Sequence, residues 1–162
     1  MGQDVFLKLG KIDGDASDKK HSDYIEITSF SLSVSNKEDA LLKTDERKEG
    51  ATIEAISFSK KFDKSTSKIL DLACKNDPLD GECTVHFCRP GGQLVASSGL
   101  SDYLVFTLTD ASVESYSFSG GGGFPTENFT LQFSKLEWEQ KDENGTRTGG
   151  GAYVRPDSKT TG

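Results

Sequence analysis

Three cysteines and two histidines are the residues of this chain best suited to nucleophilic or metal chemistry. Cys83 and Cys88 lie five positions apart, and Cys74 precedes them. If residues 81–88 form one regular strand, alternate side chains point to opposite faces, which separates Cys83 from both Cys88 and His86. A zinc site usually draws on closely spaced Cys or His pairs, and an odd number of cysteines argues against a disulfide framework. The sequence therefore predicts buried or half-buried reduced thiols, no metal ligands and no cofactor.

The acidic and glycine-rich segments do not reproduce a catalytic or binding motif. No Lys-Ser or Lys-Thr follows the four glycines at residues 120–123, so a phosphate loop is not expected. A calcium loop starting at Asp13 would lack its central glycine and its final glutamate. Glu137 and Glu139 share one strand face, which is more often a solvated surface than an acid–base pair. Without a Gly-x-Ser-x-Gly elbow either, we predict no catalytic residues and no enzymatic activity.

The net charge and the first ten residues indicate which classes of partner the protein avoids and in which compartment it assembles. The chain has 19 Lys and Arg against 26 Asp and Glu, a net charge of −7, which would repel a nucleic acid. Its first ten residues have no basic start followed by a long apolar run, so we expect neither a cleaved leader nor a membrane span. Together with reduced thiols, this predicts assembly in the cytoplasm, no membrane insertion and no nucleic-acid partner.

The arrangement of the backbone is indicated by residues 23–36, where large apolar and small polar side chains alternate. Such a period of two is typical of a strand with one buried and one solvated face. The apolar positions change parity partway, from Ile25 and Ile27 to Phe30, Leu32 and Val34. A shift of one residue moves every side chain to the other face, so a bulge or corner is predicted near Thr28 or Ser29.

The same change of parity recurs twice later in the chain. It separates Val113 from Tyr116 and Phe118, and the set Phe129, Leu131 and Phe133 from Leu136 and Trp138. Serine-spaced segments at residues 29–35, 57–59 and 115–119 also share one pattern, although no repeat period follows. Three bent, alternating segments predict a mainly β protein with a closed or strongly curled antiparallel sheet.

One helix is expected among many strands. Apolar residues in Thr66–Lys75 follow helical spacing, with Ile69, Leu70, Leu72 and Ala73 on one stripe. The predicted strands cover residues 5–9, 23–36, 52–62, 81–88, 94–96, 103–108, 111–118, 128–140 and 152–155.

Residues 37–50 form a charged excursion that is longer than an ordinary hairpin loop. It is either a solvated tip or an arm that lays its apolar residues on a partner, and the sequence favours the two about equally. The residues assigned to this candidate interface arm are Lys37, Glu38, Asp39, Ala40, Leu41, Leu42, Lys43, Glu46 and Arg47.

Several short motifs, in their order along the chain, resemble the haemolysin-coregulated protein family (Hcp) of the bacterial type VI secretion system. The residues that carry the resemblance are Ile12-Asp13-Gly14, His21, Ile25-Glu26-Ile27, Ser29-Phe30-Ser31, Val34-Ser35-Asn36, Asp63 to Leu70, Val113 to Ser117, Glu127 to Leu131 and Lys135-Leu136-Glu137. The similarity covers most of residues 5–155.

The resemblance implies a curled β-barrel of two sheets with one helix, in a single domain spanning residues 1–162 with an ordered core at about 4–156 and a polar C-terminal tail. It also implies homohexameric rings that stack into a tube inside a contractile sheath, with a spike protein at the tip and secreted effectors in the lumen. A second interpretation is a monomeric β-sandwich that binds carbohydrate, with Tyr103, Tyr116 or Trp138 as a stacking platform.

Overall fold

The computed structural model describes residues 4–16, 21–36, 51–53, 55–79, 81–90, 100–123, 125–142 and 146–154. In this part of the chain the elements are β1 (Asp4–Leu9), β2 (Ile25–Ile27), β3 (Ser29–Ser31), β4 (Val34–Asn36), β5 (Ala51–Ile53), β6 (Ile56–Lys61), α1 (Thr66–Lys75), β7 (Cys83–Pro90), β8 (Leu100–Thr109), β9 (Ser112–Ser119), β10 (Thr126–Gln132), β11 (Lys135–Lys141) and β12 (Arg147–Val154). The mainly β prediction is confirmed, and so are the bounds of the helix.

The strands form two antiparallel sheets and a short ribbon. The larger sheet has the order β12-β11-β8-β7-β1-β2, the smaller sheet has the order β3-β6-β10-β9, and β4 pairs with β5. Apolar side chains from both sheets make one main core, whose fully buried members include Leu7, Ile25, Val85 and Leu131. Among the described strands no ladder joins β9 to β12, so the two sheets curl around the core without a continuous ring of pairing.

Each predicted change of parity corresponds to a real irregularity. Thr28 is the corner at which the chain leaves β2 in the larger sheet for β3 in the smaller one, and its N–H donates to Ser59 O at 2.8 Å. In β9 the register with β10 shifts so that Glu114 is an extra residue between Val113 and Ser115. Between β10 and β11 the chain changes sheets again. The parity signal therefore located one bulge and two corners.

Some predicted bounds were wrong, for reasons of sheet geometry. Residues 23–36 form three strands rather than one, and residues 52–62 and 128–140 form two strands each, because a chain that turns a corner changes its pairing partner. The last strand starts at Arg147 and not at residue 152, since a run of glycines hides its alternation. The predicted strand at residues 94–96 lies outside the described residues.

The continuous buried face predicted for residues 30–34 was also only partly correct. Phe30 is 38% exposed and Val34 is 55% exposed, because β3 lies at the edge of the smaller sheet and β4 belongs to the separate ribbon. The Phe30 ring still contacts Phe87 of the core, with 4.6 Å between ring centroids. On α1, Ile69 is buried, but Leu70 is 45% exposed and does not join the buried stripe.

Candidate functional site

The residues predicted as an interface arm, Lys37, Glu38, Asp39, Ala40, Leu41, Leu42, Lys43, Glu46 and Arg47, lie outside the described residues. Their role in assembly stays a prediction from the sequence. The strands that flank this segment, β4 and β5, pair with each other in register from Val34 and Ile53 to Asn36 and Ala51. The described residues on either side of this segment, Asn36 and Ala51, are therefore direct partners in the ribbon.

The smaller sheet presents one face made almost entirely of small uncharged polar side chains, which we call the hydroxyl face. Its first row across the sheet is Ser29, Ser59, Asn128 and Ser117, and its second row is Ser31, Ser57, Thr130 and Ser115. These side chains bond across the strands, as Ser59 does to Asn128 and as Ser115 does to Thr130 at 2.8 Å. They line a shallow depression of about 390 Å³. Serine-spaced segments that share only a pattern in the sequence thus form one surface.

The opposite side of the same sheet is aromatic and packs on the core. Phe30, Phe58, Phe129 and Tyr116 follow one another across the four strands in register. The rings of Phe58 and Phe129 stack with 5.4 Å between centroids, and both residues are buried. Alternation along each strand therefore places the hydroxyl face outward and holds it on a rigid apolar support.

A buried ion pair, the Lys60 cluster (Lys60, Asp63, Thr66, Tyr116 and Glu127), links the helix to the smaller sheet. Lys60 Nζ donates to Glu127 Oε2 at 2.5 Å and to Asp63 Oδ1 at 2.8 Å, and both Lys60 and Glu127 have no exposed surface. The Thr66 hydroxyl, in the first turn of α1, also donates to Glu127 Oε2. Tyr116 donates to Glu127 Oε1 at 2.8 Å. Burial raises the pKa of the Tyr116 phenol, and the bond to Glu127 raises it further.

A second buried group, the His21 cluster (His21, His86, Cys88 and Asp102), lies on the outer face of the larger sheet. Asp102 Oδ1 accepts from His21 Nε2 at 2.8 Å and from Cys88 Sγ at 3.2 Å, and Asp102 Oδ2 bonds His86 Nδ1 at 3.2 Å. Burial alone would raise the pKa of the Asp102 carboxyl, but hydrogen bonds from His21, His86 and Cys88 outweigh it and hold that pKa well below its usual value.

Sequence reasoning did not find the His21 cluster. It compared His86 with Cys83, which is on the other face of β7, although Cys88 has the same parity as His86. His21 comes from the connection between β1 and β2 and Asp102 from β8, and no local spacing relates them to Cys88. The His86–Cys88 pair was the available signal.

Within the His21 cluster, Cys88, His21 and Asp102 do not have the geometry of a catalytic triad. In a triad the acid bonds one ring nitrogen of the histidine and leaves the other nitrogen for the nucleophile. Here both Asp102 Oδ1 and Cys88 Sγ approach the same nitrogen, Nε2 of His21, at 2.8 and 3.6 Å. The other cysteine of β7, Cys83, is buried, and burial raises its pKa to about 12. Glu137 and Glu139 face solvent and contact the cations of Lys135 and Arg147 at 3.5 and 3.7 Å.

The aromatic residues of the carbohydrate-binding interpretation do not form a platform. Tyr116 belongs to the smaller sheet and donates to buried Glu127, whereas Tyr103 and Trp138 belong to the larger sheet. Tyr103 contacts Phe87, and Trp138 lies over Gly151 of β12, where an added Cβ would come within 2.6 Å of the indole. Each ring takes part in packing, and the three rings do not share one surface.

The thiols should differ sharply in reactivity. Cys74 is exposed on α1, which corrects the expectation that all three thiols are at least half-buried, whereas Cys83 and Cys88 are buried. Because a thiolate must form and be reached, we expect a disulfide reagent to modify one thiol per chain rapidly in the native protein and all three after unfolding. Cys74→Ser should abolish the rapid phase. A rapid phase that persists in this variant would contradict the burial of the other two.

Comparison with known proteins places the chain in a family. Residues 6–140 match the family model described as "Type VI secretion system effector, Hcp". The chain is 27% identical over 154 residues to "Protein hcp1" of Pseudomonas aeruginosa, covering 93% of this chain and 91% of that protein. It therefore belongs to the Hcp family, a family of type VI secretion tube proteins rather than of enzymes.

Solved structures agree with the fold. The chain superposes on a structure titled as a type six secretion system protein with a TM-score of 0.76 at 24% identity, covering 93% of this chain and 94% of that one. Hcp1 from Salmonella typhimurium gives a TM-score of 0.73 at 22% identity, covering 95% of both chains. The structure supports the prediction of two curled sheets and one helix. In the described part of the chain no helix is long and apolar enough to cross a membrane.

Proposed function

We propose that this chain is a non-enzymatic tube subunit: a single domain whose copies close into hexameric rings, and whose rings stack into the inner tube of a type VI secretion system. The tube is assembled in the bacterial cytoplasm inside a contractile sheath. It is ejected with a spike protein at its tip, and it carries effectors in its lumen. The observation that carries this proposal is the match to the Hcp family over residues 6–140.

The hydroxyl face supports a role as the inner wall of such a ring. A wall along which a cargo protein slides needs small side chains, no strong charge and no deep pocket that would hold the cargo. The two rows of the hydroxyl face contain only Ser, Thr and Asn, and they line a shallow depression. Hydrogen bonds across the strands occupy several of these groups already, as between Ser115 and Thr130. We assign this face to the lumen of the ring.

The candidate arm at residues 37–50 supports a head-to-tail contact between subunits. A closed ring is built from heterologous interfaces, in which one surface of a subunit meets a different surface of the next. Because Asn36 and Ala51 are direct partners in the β4–β5 ribbon, the 14 residues between them are available for a contact with a neighbouring subunit. Leu41 and Leu42 are the apolar residues that we expect it to bury on a neighbour.

Leu41→Asp or Leu42→Asp is expected to weaken assembly while each subunit still folds. A carboxylate at a buried contact must lose its hydration, so the population of rings should fall at least tenfold at a fixed protein concentration. Analytical ultracentrifugation measures the assembled fraction, and circular dichroism checks the fold. Ser22→Asp, an exposed substitution on the β1–β2 connection, is the matched control and should leave the assembled fraction unchanged. If both arm variants form rings as the parent protein does, residues 37–50 are not the contact that joins the subunits.

A further inference from the structure

The His21 cluster belongs to the larger sheet and is separate from the hydroxyl face of the smaller sheet. It brings one imidazole nitrogen, one thiol and one carboxylate oxygen within 4.8 Å of one another. Three separate elements supply them: the β1–β2 connection carries His21, β7 carries Cys88 and β8 carries Asp102. Cys88 and Asp102 are direct partners across the β7–β8 ladder, so the sheet itself fixes their separation. This convergence of three different ligand types is the basis of the inference.

We propose that His21 Nε2, Cys88 Sγ and Asp102 Oδ1 bind one zinc ion. Zinc takes thiolate, imidazole and carboxylate ligands at about 2.3, 2.0 and 2.1 Å in tetrahedral geometry, which places pairs of ligand atoms about 3.4–3.6 Å apart. The Sγ–Nε2 distance is 3.6 Å, the Sγ–Oδ1 distance is 3.2 Å and the Nε2–Oδ1 distance is 2.8 Å. A withdrawal of the Asp102 carboxylate by about half an ångström opens this triangle to the size that zinc requires.

The surroundings of the three ligand atoms suit a metal site. Asp102 Oδ2 bonds His86 Nδ1, and His86 Nε2 bonds the Thr84 hydroxyl at 2.9 Å, so the carboxylate and the imidazole beside it are both oriented. The Phe6 ring stacks on His21 at 4.7 Å with an interplanar angle of 7° and fixes the plane of the imidazole. Two of the three proposed ligands, Asp102 and His21, are therefore held in place by neighbouring side chains.

The charges of the three proposed ligands and their access to solvent also suit a zinc ion. A Cys88 thiolate and an Asp102 carboxylate neutralise a divalent cation, while His21 binds as the neutral imidazole. Binding releases the Cys88 thiol proton and requires the His21 proton to reside on Nδ1. His21 and Cys88 are buried, whereas the Asp102 side chain is 23% exposed. Zinc can therefore enter from the Asp102 side, and a water molecule can complete the tetrahedron there.

We expect zinc binding to hold the β1–β2 connection in a fixed position against the larger sheet. Backbone bonds from Gly14 to Asp23 at 2.8 Å and from Ala16 to Tyr24 at 3.0 Å already fold this connection onto itself. Gly14 allows the close approach, because an added Cβ would lie 2.6 Å from Ile25 Cα. Zinc would tie this connection, through His21, to two strands of the larger sheet.

Cobalt(II) serves as the spectroscopic probe, since it takes the same ligands and absorbs visibly. The full chain carrying Cys74→Ser, which removes the exposed thiol, is treated with a chelator and a reductant and then titrated with cobalt(II). We expect a thiolate-to-cobalt charge-transfer band and tetrahedral d–d bands that saturate at one equivalent per chain and disappear when zinc is added. In the same protein, zinc should raise the Tm in a concentration-dependent manner.

Variants of each ligand decide the assignment. Cys88→Ser should abolish the charge-transfer band, and His21→Gln and Asp102→Asn should each weaken cobalt binding at least tenfold. His86→Phe, which removes the outer hydrogen bonds, should weaken it about 10–100-fold while keeping the band. Each metal-free variant is first compared with the parent by circular dichroism, and those that fold are titrated.

The absence of a band in the parent protein would overturn the proposal. A charge-transfer band that survives Cys88→Ser would also overturn it. So would His21→Gln and Asp102→Asn variants that bind cobalt(II) as tightly as the parent protein does. In each of these cases the His21 cluster is a hydrogen-bonded packing element only.

Discussion

Glu127→Ala is expected to lower the free energy of unfolding by about 3–5 kcal/mol, because it leaves the ammonium group of Lys60 buried without its closest carboxylate. Lys60 and Glu127 have no exposed surface. Their ion pair, at 2.5 Å, is shorter than the pair that Lys60 makes with Asp63 at 2.8 Å. The same substitution removes the acceptor of Tyr116 and of Thr66 in the first turn of α1. Chemical denaturation at one fixed protein concentration, followed by circular dichroism, measures the loss.

Two companion variants test whether the loss comes from leaving a buried charge without its partner. Replacing both partners, as Lys60→Met with Glu127→Leu, should recover much of the loss, since a buried pair exchanged for apolar side chains of similar volume is often close to neutral. Lys64→Ala, at a solvent-exposed pair with Asp23 at 3.9 Å, should change stability by less than about 1 kcal/mol. An equal effect of Glu127→Ala and Lys64→Ala would contradict the burial of the Lys60 cluster.

Phe129→Ala is expected to cost about 3–5 kcal/mol through loss of buried area and the cavity that it leaves. Phe129 is 1% exposed and lies between Phe58 and Tyr116 in the aromatic row that supports the hydroxyl face. The tightly paired strands on both sides limit collapse into the cavity, so the cost should lie toward the upper part of this range. The free energy of unfolding from urea titration gives the value.

Phe118→Ala is the matched control for Phe129→Ala. It removes the same side chain from the neighbouring strand β9, but Phe118 is 49% exposed. We expect a change below about 1 kcal/mol, because about half of that residue is already in contact with water. Similar losses from the two variants would mean that the smaller sheet does not bury the face carrying Phe129.

The sequence predicted the corners of the fold because corners leave a local trace. The change of parity after Ile27 marked Thr28, and the interval between Val113 and Tyr116 marked the bulge at Glu114. The assignment of strands to sheets left no such trace, since β2 and β3 differ only in the partners that they pair with. Pairing depends on residues far apart in the chain, and local alternation is the same in either sheet.

Surfaces and buried clusters were predicted less well than strands. Serine spacing at residues 57–59 and 115–119 was visible, but only the register between β6, β10 and β9 shows that these serines share one face. The Lys60–Glu127 pair joins residues 67 positions apart, and His21 and Asp102 are 81 positions apart. Charged and polar residues of this kind resemble solvated positions until the fold buries them together.

The resemblance seen in the sequence came from the order of several weak motifs, and three of these motifs contribute residues to the Lys60 cluster. Asp63 and Thr66, within the motif at residues 63–70, both contact Lys60, and Glu127 of a later motif completes the Lys60 cluster. In this chain, residues of these motifs therefore form a buried network that fastens the helix to the sheet.

Electron cryo-microscopy of the purified protein, with its solution mass measured on the same sample, tests the central proposal most directly. We predict closed hexameric rings in which the hydroxyl face, from Ser29 and Ser31 on β3 to Ser115 and Ser117 on β9, lines the central opening. A monomeric mass with no rings across the concentrations that can be reached would contradict the proposed tube. Rings that bury the hydroxyl face between subunits would keep the assembly and contradict its assignment to the lumen.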